Sequence, residues 1–259
     1  MGQYHEIYNL DKKVYYSPRA LGSNVKILEF GQDIIPTALM VTLLDGQWKN
    51  DRVCVIGDYA EDGDINDMSM SEFDKIDFEE FGPQAREIIE EITNVNFVKD
   101  YWELNGEKIE TIKFEVDGDK ITVNAFINVP EMFTFVNHDK REKIVFSKIV
   151  DEQDGVVRSN DGTLYDAVND GFQSGLSVMM VGLIAGSIKN GARGGGDVEL
   201  NQYGGSWCGD HVAIVNAEDV EDYVDITDDV LNIMHEKMDQ NEFWWLDKWR
   251  AKEKNENTA

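Results

Sequence analysis

Apolar positions along the chain either alternate or recur every three to four residues, in runs short enough to mark out its elements. A strand-like run follows each of two related stretches, "YNLDKKVYY" (8–16) and "VNHDKREKIVF" (136–146). Both give Asn, any residue, Asp, Lys and a second base before the apolar positions begin. Further along, "GQWKNDRVCVI" (46–56) and "GSWCGDHVAIV" (205–215) share the pattern G-x-W-x-x-D-x-V-x-[VI]-[IV]. Two separate matches in the same order predict an internal duplication, which would dictate the architecture.

Within each copy the pattern predicts a strand at Asn9 or Asn137, a second strand, an apolar helix and then the G-x-W strand. The helix of the first copy is expected over 35–44, with Pro36 tolerated in its first turn, and that of the second over 171–188. Between the copies, "SMSEFDKIDFEEFGPQAREIIEEI" predicts two helices broken at Gly82-Pro83. "KIETIKFEVDGDKITVNAFINV" alternates around Asp117-Gly118 and predicts a hairpin. A last helix is expected over 225–252, capped by Thr227 with Asp228 and Asp229 in its first turn. The fold class is therefore α+β: two related sheet-and-helix units sharing a core, with a helical and hairpin insertion and a C-terminal helix. The first unit with its insertion would span 1–128, and the second, with a glycine-rich loop and an aromatic C-terminal helix, 129–259.

Charge changes this picture most. The chain has 51 acidic against 24 basic residues, a formal net of −27. Such self-repulsion costs stability and calls for a counterweight in solubility, salt adaptation or recognition of a basic partner. Lysine outnumbers arginine, which fits salt adaptation poorly. Direct binding to nucleic acid or to an anionic membrane is disfavoured, because both need a cationic surface. The two cysteines, Cys54 and Cys208, have no C-x-x-C spacing and suit a reducing compartment. The N-terminus has no basic-then-apolar leader, and Glu6 stands where myristoylation needs Ser or Thr. "SGLSVMMVGLIAGSI" falls short of the roughly 18 residues of a membrane span. A cytoplasmic protein is expected.

"GGSWCGDHVAIV" has the look of a reactive site, but the residues aligned with Cys208 and His211 in the first copy are Lys49 and Arg52. Gly, Trp, Asp and the alternating Val/Ile positions recur, so the expectation is a structural skeleton: a turn, an aromatic anchor, and an Asp holding backbone amides ahead of a strand. "GQYHEIYNLDKK", "LEFG" at 28–31 and "WKNDRVCVIGDYAED" resemble a family of uncharacterised bacterial and phage proteins. The resemblance covers most of 1–62 and 170–220. It implies a unit with a glycine-rich segment like "GARGGGD" ahead of a G-x-W-x-G-D strand, and it brings no established activity. Here the features are divided: the first copy has "GDYAED" without the glycine loop, and the second has the loop with "NAEDVED".

Several residues are candidates for chemistry. In the glycine loop, Arg193, Gly194, Gly195, Gly196 and Asp197 could receive an anion on backbone amides, with Trp207 and Asp210 nearby. The order helix, glycines, strand is nonetheless the reverse of a phosphate loop. Asp58, Glu61, Asp62 and Asp64 are weak candidates for a hard cation, but an EF-hand register from Asp58 fails at Ala60 and Ser69. A Cys208–His211 pair lies three residues apart at a strand start, which points the two side chains to opposite faces. Trp244, Trp245 and Trp249 could fill an internal groove or anchor a partner. No cofactor and no catalytic residue is expected.

The function expected first is a non-enzymatic, strongly acidic binding protein, in its specific form a phage-type inhibitor or nucleic-acid mimic acting on a basic host protein in the host cytoplasm. The alternatives are a ligand- or metal-dependent enzyme or sensor built on the RGGGD loop, and a structural homo-oligomer formed through the aromatic C-terminus.

Overall fold

The computed structural model describes residues 3–21, 25–27, 39, 42–43, 47–82, 84, 112–116, 119–123, 133–149, 178–191, 193–194 and 197–237. Among the described residues it is mixed α+β, with few helices. Strands β1 (His5–Asn9), β2 (Val14–Tyr16), β3 (Asp51–Gly57) and β4 (Glu79–Glu80) come from the first half. A separate hairpin pairs β5 (Ile112–Val116) with β6 (Asp119–Val123), as alternation around Asp117-Gly118 predicts. From the second half come β7 (Phe133–Asn137), β8 (Glu142–Val145), β9 (His211–Asn216) and β10 (Val224–Asp225).

Apart from the hairpin, the strands form one sheet in the order β10-β8-β7-β9-β3-β1-β2-β4. The pairing is the same counted inward from either edge: a two-residue edge strand parallel to its neighbour, then antiparallel ladders to the centre. At the centre β3 runs antiparallel to β9, with Asp51 opposite Val212 and Arg52 opposite His211. The boundary expected at residue 128 lies outside the described residues, and the stretches on either side of it each give four strands to this sheet.

The repeated Asn explains why both inner hairpins turn as they do. The Asn9 side-chain oxygen accepts the amides of Asp11 (3.1 Å) and Lys12 (2.9 Å), and that of Asn137 accepts Lys140 (2.9 Å). Lys13 (φ +57°) and Arg141 (φ +55°) then take the left-handed conformation that brings the chain back. Asp11 accepts the Arg52 amide and Asp139 the His211 amide, each at 2.8 Å, which pins each turn to the central strands.

Strand alternation gives the sheet two buried faces. On one, Ile7, Tyr16, Val53, Val55, Phe135, Ile144, Val212 and Ile214 form the main core with helix residues and with Trp48 and Trp207. The apolar helix of the second half, expected over 171–188, ends earlier than that: among the described residues α2 covers Val178–Ile184, Ala185 bridges to Val55, and a 3-10 turn takes Gly186–Ile188, while 171–177 lie outside the described residues. The close approach of Gly186 to the Asp64 backbone and to Cys208 accounts for that break, since a Cβ there would come within 2.7 and 2.8 Å of them. In the first half, residues 39, 42 and 43 are helical, and Leu39 and Leu43 lie in the same core.

The opposite face is covered by two acidic segments. Residues 58–78 bury Ile65 and Phe73 against Leu10, Cys54 and Ile56, and 217–223 lay Val220 and Tyr223 on Val136 and Ala213. Of the two helices expected about Gly82-Pro83, the first is a single turn, α1 (Met70–Phe73), followed by Glu79–Glu80 as the edge strand β4, and the second lies largely outside the described residues. Backbone bonds from Glu79 to Lys13 and from Phe81 to Tyr15 hold that strand against β2, overriding the helical spacing. Helix α3 (Thr227–Lys237) begins where predicted, but Thr227 is not its cap. Asp225 accepts the Thr227 amide (2.9 Å) and hydroxyl (2.6 Å), and the Thr227 hydroxyl in turn accepts the Val145 amide of β8 (2.8 Å). The expected remainder of that helix, with Trp244, Trp245 and Trp249, lies outside the described residues.

Candidate functional site

The two G-x-W turns reach the sheet centre as structural anchors. Trp207 is fully buried, packs on Phe135 at 5.0 Å and donates its indole N–H to Glu142 (2.7 Å). Trp48 is buried against Tyr16 and Phe81. Asp210 accepts from Asn137 (2.7 Å) and Asn66 (2.9 Å), and in the first half Asp51 accepts from Asn9 (2.7 Å) and Lys12 (2.5 Å). Each Asn thus orders its own turn and holds the Asp that begins the neighbouring strand.

Cys208 and His211 do not meet. Cys208 is buried beside Cys54 in the core of the first half, where burial, and then the neighbouring Cys208 thiol, push the Cys54 thiol well above the ordinary range. The His211 ring is half-exposed and lies against Asp139 at 3.0 Å.

The glycine loop and the acidic loop, divided between the halves in sequence, come together in space. Arg193 makes a bidentate pair with Asp64 (2.7 and 2.8 Å) and donates to the Tyr59 carbonyl. The Asp64 side chain is fully buried and also accepts the Glu61 amide, and its hydrogen bonds, foremost, hold the Arg193 pKa above the usual value. Lys189 reaches across to the Gly63 carbonyl and Asn66, both at 2.8 Å. Asp197 closes its own loop by accepting the amides of Arg193 (3.0 Å) and Gly194 (2.8 Å), and takes Gln3 at 3.1 Å. The Arg193 guanidinium is thus paired with Asp64, and the Arg193 and Gly194 amides, expected to receive an anion, are bonded to Asp197. Gly195 and Gly196 lie outside the described residues.

Beneath the loop sits a buried polar cluster. His5 lies 3.1 Å from the Ser187 hydroxyl and 3.8 Å from Asp197, with its other ring nitrogen 3.2 Å from the Val25 carbonyl. Burial lowers the His5 pKa against the opposing pull of Asp197. Alternation carried the clue: in "HEIYN", His5 is in phase with the buried Ile7 and Asn9.

The candidate metal ligands do not converge. Asp58 caps Tyr4, Asp62 caps Met70 and Asp64 takes Arg193, and among the described residues no group of three or more His, Cys, Asp or Glu is placed to hold an ion. The covering segments instead present charge outward. Asp58, Glu61, Asp62, Asp67, Glu72, Asp74 and Asp77 are exposed, with Lys75 the lone base of that segment, and Glu79 and Glu80 of the edge strand beside it are exposed too. From the other half, Glu218, Asp219, Glu221, Asp222, Asp225, Asp228 and Asp229 are exposed, and 217–229 contain no base. Among the described residues no helix is long and apolar enough to cross a membrane. No protein-family model, curated protein or solved structure matches the chain.

Proposed function

We propose that this protein is a non-enzymatic binding protein that offers an acidic face to a basic protein partner, in the specific form of a phage-type inhibitor or nucleic-acid mimic. The observation that carries the proposal is the sorting of charge. The two segments covering one sheet face expose a run of carboxylates, while bases such as Arg193, Lys12 and Lys148 are paired with the protein's own acids. Carboxylates spread over such a face can stand in for backbone phosphates toward a cationic surface. We also infer that the two halves arose by duplication, supported by the matching strand order and by the paired Asn–Asp arrangements at Asn9/Asp51 and Asn137/Asp210.

The test is capture by the immobilised protein from nuclease-treated lysate at low and high salt. Each retained species is then purified and titrated alone, with and without nucleic acid. The expected result is a basic protein whose affinity falls steeply with salt and whose nucleic-acid binding is displaced. Retention that is indifferent to salt, or a partner whose nucleic-acid binding is untouched, would refute the mimic.

A further inference from the structure

One cleft opens on the acidic face of the sheet. It measures about 400 Å³ and is lined by Tyr4, Glu6 and Tyr8 from and beside β1, by Ile56 and Asp58 at the end of β3, and by Arg19. Strand alternation places Tyr4, Glu6 and Tyr8 on one face, and the volume lies within the range of small-ligand sites, roughly 300–1,000 Å³.

Its chemistry favours a guanidinium. Tyr4 is 52% exposed, unusual for so large a ring, and offers a π-face to solvent. Glu6 is fixed by the Tyr8 hydroxyl (2.6 Å) and Asp58 by the Tyr4 amide (3.0 Å). Each carboxylate uses one oxygen for this, and among the described residues the second takes no other hydrogen bond. A planar cation that stacks on an aromatic ring while donating in-plane to a carboxylate suits such a pair of surfaces better than a compact ammonium does. The protein itself supplies an instance: the Arg19 guanidinium carbon lies 5.2 Å from the Tyr4 ring centroid.

We infer that this cleft is the anchor site for an arginine side chain of the basic partner, with the surrounding acidic face supplying long-range attraction. The inference rests on the acidic-face reading and adds a defined seat to it. An arginine entering the cleft would share the Tyr4 ring with Arg19 or displace it, and would pair with Glu6 and Asp58.

The test uses the full chain and a short fluorescein-labelled arginine-rich peptide, read by anisotropy at low salt. Three variants are compared with the parent: Tyr4→Ala, the double variant Glu6→Gln/Asp58→Asn, and a charge-matched control, Glu218→Gln/Asp219→Asn, on the other acidic segment. Thermal melts confirm that each is folded. The expected result is a loss of about tenfold or more in affinity for the cleft double variant, a smaller loss for Tyr4→Ala, and little change for the control; each tenfold step corresponds to ~1.4 kcal/mol. Free N-acetyl-arginine amide should compete for the parent and fail to compete for the cleft variants. Equal losses in both double variants would mean diffuse attraction, which overturns the anchor site and leaves the acidic face standing. A parent that does not bind the peptide overturns both.

Discussion

Arg193 and Asp64 join parts of the chain 129 residues apart, and Asp64 has no exposed side-chain surface. Arg193→Ala would leave that carboxylate buried with the Glu61 amide as its remaining donor. Removing one partner of a buried pair costs about 3–5 kcal/mol, and the low end applies here because the Arg193 side chain is 17% exposed. Arg193→Lys keeps the charge without the fork and should cost less, about 1–2 kcal/mol. Urea unfolding at neutral pH, followed by the fluorescence of buried Trp48 and Trp207, should order the three proteins accordingly. His5 makes a separate prediction. Its pKa is lowered in the fold by burial, so the unfolded chain binds more protons wherever the pH lies below about 6.5 and above the folded value. Stability should therefore fall as pH drops through 6.5. His138 is also lowered, chiefly by burial, and adds to the same slope. Unfolding free energies measured from pH 7.5 to 5.5 should decline less steeply in His5→Asn than in the parent, and an unchanged slope would show that His5 does not carry it.

The G-x-W turn shows how a short motif acts as an element. Gly205 adopts φ +64°, its amide donates to the Gly182 carbonyl (2.8 Å), and a Cβ on it would sit 2.6 Å from the Ala185 oxygen. Gly205→Ala should therefore cost more than the ~1–3 kcal/mol of a strained conformation alone, because the turn would also be pushed off the end of α2. Calorimetry is expected to show a lowered melting temperature with Trp207 still buried in the folded population, and an unchanged melting temperature would count against this packing. Such motifs were the legible part of the chain. The Asn-x-Asp-Lys turns signal their geometry locally, through Asn side chains that bond their own backbone, and the G-x-W strands and the β5–β6 hairpin do so through alternation. What went unseen was long-range. Nothing near Glu79 or Glu80 in sequence says that Val14 and Tyr15 will pair with them, so helical spacing masks an edge strand. The glycine loop looked like a ligand loop because Asp64, Gln3 and Tyr59, which occupy its polar groups, lie more than a hundred residues away. The Tyr4 cleft was hidden for the same reason, since its walls come from two strands and an intervening turn.

The molecule as a whole carries a net charge of −27, and among the described residues the two segments that cover one face of the sheet carry many of the exposed acids. Folding brings these carboxylates closer together than they lie in the unfolded chain, so their mutual repulsion weighs against the native state. Salt shortens the range of that repulsion from about 10 Å at 0.1 M to about 3 Å at 1 M. Paired bases respond in the opposite sense. Lys148, which bonds Asp225 and Asp228, is partly exposed and will be weakened by the same ions, but such surface pairs are worth only about 0–1 kcal/mol each. Repulsion among many unpaired acids should win, and the urea midpoint should rise as sodium chloride is raised from 0.05 to 1 M. Sodium chloride is the informative choice, since sulfate would also stabilise through exclusion from apolar surface. The prediction also separates the two uses of the acidity. If the face is neutralised by a basic partner, the peptide that binds at low salt should raise the melting temperature there, by mass action. That increment should vanish at high salt even as the protein alone grows more stable. A midpoint that falls with salt would mean that attractive pairs outweigh repulsion, and that the charge is balanced within the fold rather than held in readiness for a partner.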